Sequence, residues 1–269
     1  MTFQTERILT NTEIAPDIFY MTVYAPEIAA VARAGQFAML NPDRSELLLP
    51  RPISICDVDR YELRFVYQVV GAGTKAMSQM QVGSYVKILA PLGKGFFAYP
   101  QKSTLMSEEL ASTQRAISNL ENVAIVGGGI GTPPLLYLAK TLKFVGAKVD
   151  AYLGFRSNPI LLDEFKSIVD NLHIATEDGS VGHMGDVLQV LQKENQIYDE
   201  IFACGPRPML GALAKYARSK EIPCQVSMEE RMACGLGTCV GCVLEIGSTY
   251  LRICTEGPVF YSDKINWEY

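Results

Sequence analysis

Histidine is scarce: the 269 residues contain two, His173 and His183. That leaves little material for an imidazole-based acid–base mechanism. No apolar run reaches roughly 18 residues, the length a membrane-spanning helix requires. The opening stretch MTFQTERILTNTEIAPD is polar and lacks the apolar segment of a secretory signal. Positive charge is not in excess either. Lys and Arg number 24 against 29 Asp and Glu, a formal charge of −5, which argues against nucleic-acid binding. With 48% apolar and 20% charged residues, the composition is that of a globular chain and not a disordered one. The expectation is a soluble, cytoplasmic protein with no membrane and no nucleic-acid partner.

Cysteine, by contrast, is well represented, with seven residues. In a chain without an export signal they point to metal or redox chemistry rather than a disulfide framework. At roughly 150 residues per domain the length suggests about two domains, enough to bury a core without staples. Residues 1–100 read as successive short strands, among them Phe19–Val23, Leu63–Val70 and Ser84–Leu89, divided by Gly, Pro and Asn/Asp. Helical periodicity is limited there to a short segment after Thr74. This pattern predicts an antiparallel barrel or sandwich. Residues 101–121 then read as a linker or inserted connection, polar and free of glycine over 101–119.

The pattern changes at Asn122. VAIVGG is a buried-strand run ending in glycines, and TPPLLYLAKTLKFVG reads as a helix with Pro133 and Pro134 in its first turn. Strands AKVDAYLGF, LHIAT, EIFACG and CQVSM alternate with helices around Ile160–Val169, Val187–Gln192 and PMLGALAKYARSK. Such alternation over 122–227 predicts a doubly wound parallel sheet. Residues 228–269 are short, rich in cysteine and glycine, and too few to fold on apolar burial alone. They need a staple.

The cysteines supply one. Cys234, Cys239, Cys242 and Cys254 are spaced C-x4-C-x2-C-x11-C, and the first three match the plant-type [2Fe–2S] pattern. Thiolates must approach a compact cluster from several directions, so the chain has to wrap tightly. Gly235, Gly237 and Gly241 allow that. Free backbone N–H groups in such a loop can point at sulfur and raise the reduction potential. A structural zinc held by four cysteines is the alternative, although zinc knuckles usually pair their ligands as C-x2-C twice over. Cys56, Cys204 and Cys224 are not expected to be metal ligands, Cys224 being most simply a small buried hydrophobe.

Two glycine loops point to a nucleotide. Gly127-Gly128-Gly129-Ile130-Gly131-Thr132 joins a strand to a helix, a turn that lets a diphosphate meet free N–H groups at the helix start. It is not the strict G-x-G-x-x-G, because Thr132 stands in the third glycine's place. Cys204-Gly205-Pro206-Arg207-Pro208-Met209 ends a second strand at the same expected sheet edge, where ligands of open α/β sheets collect. In the barrel region, Arg51 and Ser54 lie three residues apart on an extended segment; Arg51 could grip a phosphate and Ser54 a ring nitrogen. Gly71 and Gly73 precede Thr74, a candidate N-cap and anion site. Each of these also reads as an ordinary surface charge or loop.

Together these motifs resemble the ferredoxin–NADP reductase superfamily. Arg51-Pro52-Ile53-Ser54, Gly71-Ala72-Gly73-Thr74, Ala90-Pro91-Leu92-Gly93, GGGIGTPP and CGPRPM occur in that family's order. The C-terminal MEERMACG through CTEGPVF is similar to the electron-transfer subunits of NAD-dependent (class 1B) dihydroorotate dehydrogenases. The resemblance implies a flavin-binding antiparallel barrel, a nicotinamide-binding α/β domain and a small C-terminal cluster domain. FAD would contact Arg51, Pro52, Ile53, Ser54, Gln68, Val69, Val70, Gly73 and Thr74, with Arg51 on the diphosphate and Ser54 near the flavin N5. Where the wider superfamily often carries a stacking aromatic before that serine, this chain has Ile53. NAD would lie on Gly127, Gly128, Gly129, Gly131 and Thr132, with Cys204 and Gly205 near the nicotinamide. Cys234, Cys239, Cys242 and Cys254 would bind [2Fe–2S].

The mechanism implied follows from electron counts. NADH yields two electrons as hydride, a cluster accepts one at a time, and a flavin does both. FAD therefore stands between them, and no catalytic side chain is required; His173 is expected to be structural and His183 a loop residue. An eight-stranded barrel for dihydroorotate takes around 250 residues and does not fit here. The resemblance thus implies a separate FMN-containing catalytic subunit, paired two and two in a heterotetramer serving pyrimidine biosynthesis. Flavin/[2Fe–2S] subunits of NADP-linked ferredoxin reductases or sulfhydrogenases are the alternative within this chemistry, and a zinc-stabilised nucleotide-binding module without redox turnover is one outside it. NAD against NADP stays open, since Asp150 would repel a 2′-phosphate and Arg156 attract one.

Overall fold

A computed structural model of the protein describes residues 3–42, 44–96 and 120–267. Most of the connection expected at 101–121 lies outside the described residues. Six strands, β1 (Gln4–Ala15), β2 (Ile18–Tyr24), β3 (Phe37–Asn41), β4 (Arg51–Asp59), β5 (Glu62–Gln68) and β6 (Tyr85–Leu92), close a barrel in the order β1-β2-β5-β4-β3-β6. Every pairing is antiparallel. Closure removes the sheet edges that an open antiparallel sheet would expose. Its interior holds Ile8, Met21, Leu40, Ile55, Phe65 and Tyr67, all buried. Two short helices, α1 (Pro26–Ala29) and α2 (Ala72–Ser78), lie on connections of the barrel.

The second half is a sheet of β7 (Asn122–Gly128), β8 (Lys148–Phe155), β9 (Asn171–Thr176), β10 (His183–Met184), β11 (Glu200–Cys204) and β12 (Cys224–Ser227), in the order β10-β9-β8-β7-β11-β12 and parallel throughout. Helices α3 (Pro134–Phe144), α4 (Leu162–Lys166), α5 (Val187–Glu194) and α6 (Arg207–Ser219) connect the strands. Strand residues alternate between faces. Val123 and Ile125 pack with Leu135, Leu142 and Phe165 of α3 and α4, whereas Ala124 and Val126 pack with Leu191, Leu210 and Leu213 of α5 and α6. With helices on both faces, the sheet is doubly wound.

The cysteine-rich tail is joined to this sheet. A hairpin of β13 (Val243–Ile246) and β14 (Thr249–Arg252) is followed by β15 (Val259–Tyr261), which adds antiparallel to β12 as the seventh strand. Met39 and Leu92 of the barrel, Cys242 and Cys254 of the tail, and the α5 and α6 face of the sheet share one apolar cluster. A polar clamp joins the two larger units elsewhere. Buried Asp57 of β4 accepts from Arg64 of β5 at 2.9 Å and from Lys140 of α3 at 2.6 Å.

Candidate functional site

The first candidate site lies on the barrel, where β4 faces the start of α2. Arg51 opens β4, and its guanidinium lies against Gly73 so closely that a Cβ at Gly73 would collide with it. Arg51 also donates to the Leu49 carbonyl. Thr74 is the third residue of α2, not its N-cap; Gly71 holds the cap position. The Thr74 hydroxyl instead accepts from the N–H groups of Val70 at 2.9 Å and Gly71 at 3.2 Å, which fixes the turn ahead of the helix. The second of these bonds satisfies the N–H of the cap residue, and the first that of the residue before it. Gln68 ends β5, Val69 donates to the Asp17 carbonyl, and Val70 is exposed. Pro52 and Ser54 pair across β3 with Met39 and Phe37, and Ile53 with Ala38. Arg51, Ser54 and Gly73 thus line neighbouring segments, offering one guanidinium, one hydroxyl and a side-chain-free backbone, while the buried Thr74 hydroxyl is spent on the turn itself.

Asn11 positions α2, a part that motif reading missed. Its amide donates to the carbonyls of Met77 at 2.9 Å and Met80 at 3.0 Å, and its oxygen accepts from Tyr67. These bonds tie the helix C-terminus to β1.

The second site lies on the carboxyl edge of the parallel sheet. β7 and β11 run side by side, with Gly127 beside Cys204. The turn Gly129–Gly131 packs against β5 of the barrel, so the two sites adjoin. A Cβ on Gly131 would lie 2.6 Å from Gly205 Cα, and one on Gly128 2.8 Å from Pro206 Cδ. Thr132 is fully buried, and its hydroxyl has no hydrogen-bond partner among the described residues. Burial pushes the Cys204 thiol up to about 12, against a hydrogen bond with Ser227, so it stays neutral. Asp150 is not at this edge. It is the third residue of β8, buried, and accepts from Tyr198 at 3.0 Å and Asn171 at 2.8 Å. It lies toward the amino end of its strand, whereas Arg156 directly follows β8 at the carboxyl edge and is exposed.

The third site is the cysteine loop. Cys234 is half-buried, Cys239 exposed, and Cys242 and Cys254 buried. Backbone donors converge on the sulfurs: Gly237 on Cys254 at 3.2 Å, Leu236 on Cys234 at 3.4 Å and Cys254 on Cys242 at 3.4 Å. Burial opposes ionisation of Cys234, yet N–H groups of Leu236, Cys239 and Thr238 bring it down to about 6. Burial and the neighbouring Cys242 push Cys254 up to about 12. Among the described residues no three acidic, histidine or cysteine side chains gather around one point. Gly235 has φ +70°, and a Cβ there would lie 2.6 Å from Met39 Cγ. The loop therefore rests directly on β3, the strand paired with Arg51–Ser54. With four cysteines in one closely wrapped loop and backbone donors aimed at three of their sulfurs, this segment fits an iron–sulfur group.

Comparisons with known proteins agree. Residues 229–266 match the family described as the iron-sulfur cluster binding domain of dihydroorotate dehydrogenase B. The dihydroorotate dehydrogenase B (NAD(+)) electron transfer subunit of Shouchella clausii is 40% identical over 262 residues, 94% of either chain. That of Caldanaerobacter subterraneus subsp. tengcongensis is 35% identical over 96% of each. The chain belongs to this family of electron-transfer subunits. A solved NADH-dependent reduced ferredoxin-NADP oxidoreductase, described in terms of flavin-based electron bifurcation, superposes with a TM-score of 0.83 at 28% identity, over 98% of this chain and 90% of that one. Phthalate dioxygenase reductase shares the fold, with a TM-score of 0.60 at 18% identity over 91% and 87% of the chains. In this electron-transfer subunit His173 is a packing residue, stacked at 4.5 Å on Tyr152, and His183 lies in the exposed edge strand β10 and not in a loop. No helix among the described residues is long and apolar enough to cross a membrane.

Proposed function

We propose that the subunit carries electrons between NAD(H), FAD and a [2Fe–2S] cluster, to or from the FMN of a separate dihydroorotate dehydrogenase catalytic subunit in pyrimidine biosynthesis. Residues 1–100 are read as the FAD domain, 122–227 as the NAD domain and 228–269 as the cluster domain. The observation that carries this reading is Met39. It pairs with Pro52 in the segment read as flavin-binding and touches Gly235 beside Cys234. Strand β3 thus touches both segments proposed to hold redox groups, and the glycine turn proposed for the nucleotide packs against the same barrel through β5.

Arg51 takes a flavin diphosphate through its planar fork, Gly73 leaves room for it, and the Ser54 hydroxyl meets a ring nitrogen. Gln68, Val69 and Val70 border the ring, and Pro52 and Ile53 supply apolar contact. Gly127 to Thr132 hold the nicotinamide dinucleotide, with Cys204 and Gly205 at its reacting end. A bound flavin supplies the exchange between hydride and single electrons. The chain's own residues bind and orient; none is assigned a proton. The C-x4-C-x2-C-x11-C spacing, whose first three cysteines follow the plant-type pattern, favours [2Fe–2S] over a zinc held by four cysteines. The subunit works in the cytoplasm, where its thiols stay reduced, in a heterotetramer with the catalytic subunit.

An anaerobic visible spectrum with iron, sulfide, zinc and flavin assays tests this. About two irons, two sulfides and one FAD per chain, bleached by NADH, are expected. One zinc without flavin overturns it. Orotate should form only when an FMN-containing catalytic subunit is added, and orotate from the isolated chain would refute the division of labour.

A further inference from the structure

The residue that braces the cysteine loop is not one of its cysteines. Arg252, at the end of β14, forks onto Glu256, with Nη2 on Oε1 at 2.6 Å and Nε on Oε2 at 3.1 Å. The backbone N–H of Arg252 also donates to Glu256 Oε2, at 2.7 Å. The remaining arm reaches into the loop, where Nη1 donates to the Gly237 carbonyl at 3.0 Å. Gly237 is the residue whose own N–H donates to Cys254 Sγ at 3.2 Å. A Cβ on Gly237 would lie 2.8 Å from Thr255 Cγ2 and 3.4 Å from Arg252 Nη1, so the loop is closed down on this arginine. Arg252 is itself two residues from Cys254 and pairs across the hairpin with Val243, beside Cys242. Its guanidinium therefore holds the carbonyl of the residue whose N–H is aimed at the Cys254 sulfur, and brings a positive charge near Cys242 and Cys254.

We propose that Arg252 and Glu256 form a charge pair that positions the cysteine loop and sets the reduction potential of the iron–sulfur group held there. This rests on the reading of Cys234, Cys239, Cys242 and Cys254 as cluster ligands. Reduction adds one electron to the group, with no bond formed or broken. A cation close by therefore favours the reduced form, and an anion the oxidised form. Arg252 raises the midpoint potential and Glu256 lowers it. Both side chains are partly exposed, 41% and 27%, so solvent and salt weaken the effect. The signs are opposite, which a purely structural brace does not produce.

The test is a dithionite titration of the purified, cluster-loaded chain, followed by the low-temperature electron paramagnetic resonance signal of the reduced cluster. Arg252→Gln is expected to lower the midpoint relative to the unsubstituted chain, Glu256→Gln to raise it, and Arg252→Lys to fall between the arginine and glutamine forms. Raised ionic strength shrinks both shifts. The rate at which NADH reduces the flavin stays the same in all forms, because neither residue belongs to the nucleotide or flavin sites. Shifts of the same sign, or none, overturn the proposal while leaving the cluster assignment intact. An unsubstituted chain with flavin but no such signal overturns the cluster assignment, and the proposal with it. If Arg252→Gln does not retain iron, Glu256→Gln decides alone, and an unchanged or lowered midpoint rejects the charge pair.

Discussion

Gly131 and Gly205 meet backbone to backbone: a methyl group on Gly131 would lie 2.6 Å from the Gly205 Cα and equally close to its nitrogen. The contact exists because β7 and β11 are neighbours in register and both end in glycine turns. Any side chain at Gly131 must push apart the two glycine turns proposed to hold the nucleotide. Overpacking of this kind costs about 1–3 kcal/mol, so Gly131→Ala is expected to raise the KM for NADH roughly tenfold or more. Flavin content should be unchanged. Steady-state reduction of an artificial acceptor by NADH measures this, and an unaltered KM would show that the loops do not hold the nucleotide.

The barrel site makes a separate claim. Because Arg51 lies across Gly73, Gly73→Ala displaces the guanidinium read as the diphosphate clamp. Purified Gly73→Ala should retain its fold and bind FAD at least about tenfold more weakly, a loss near 1.4 kcal/mol. Arg51→Ala should do the same without the collision. Flavin released on dialysis, measured by its absorbance, decides between this and an ordinary surface arginine.

The motifs were legible because they are local. Strand–glycine–helix punctuation located both glycine turns at the carboxyl edge of the sheet, and cysteine spacing located the loop that rests on Met39. What single-chain reading could not supply was anything that depends on register or distance. Asn11 reads as one polar residue in a strand, and only closure of the barrel brings it to the carbonyls of Met77 and Met80. Arg252 reads as a hairpin charge until Gly237 folds over it. Asp150 shows the same limit, because its place along its strand decides which sheet edge it lies near. Its strand begins two residues earlier, at Lys148, so it lies towards the amino edge of a sheet whose ligands gather at the other. The return of β15 to the sheet was likewise invisible, since Val259–Tyr261 is three residues long and carries no periodicity.

That correction yields a prediction about nucleotide choice. Asp150→Ala removes the acceptor for Tyr198 and Asn171 and should destabilise the fold by about 1–3 kcal/mol. The ratio of NADH to NADPH activity should not move. Arg156→Ala, at the exposed end of β8, should leave stability unchanged and lower any NADPH activity severalfold relative to NADH. Kinetics with both nucleotides, set beside urea denaturation, would expose a reversal of these roles.

Glu200 offers a test of stability against pH at a distance from the chemistry. It is the first residue of β11, at the end of the strand away from Cys204, and it is buried. Burial pushes its carboxyl up to about 7, although hydrogen bonds with Gln225 and Tyr261 oppose the rise. The folded chain therefore keeps a proton that the unfolded chain releases at an ordinary carboxylate pKa, for which the reference is 4.5. Where the folded state binds more protons, stability falls as pH rises. The loss starts near pH 4.5 and is complete above about pH 7. Glu200→Gln has no proton to lose and keeps an oxygen for the Gln225 amide, which donates to Glu200 at 2.8 Å. It should match the unsubstituted chain at pH 4.5 and exceed it at pH 8 by up to about 3 kcal/mol. Urea denaturation at the two pH values measures the gap. A difference that stays constant between them would mean that Glu200 is already ionised in the fold, and that its burial is matched by partners stronger than a glutamine and a tyrosine.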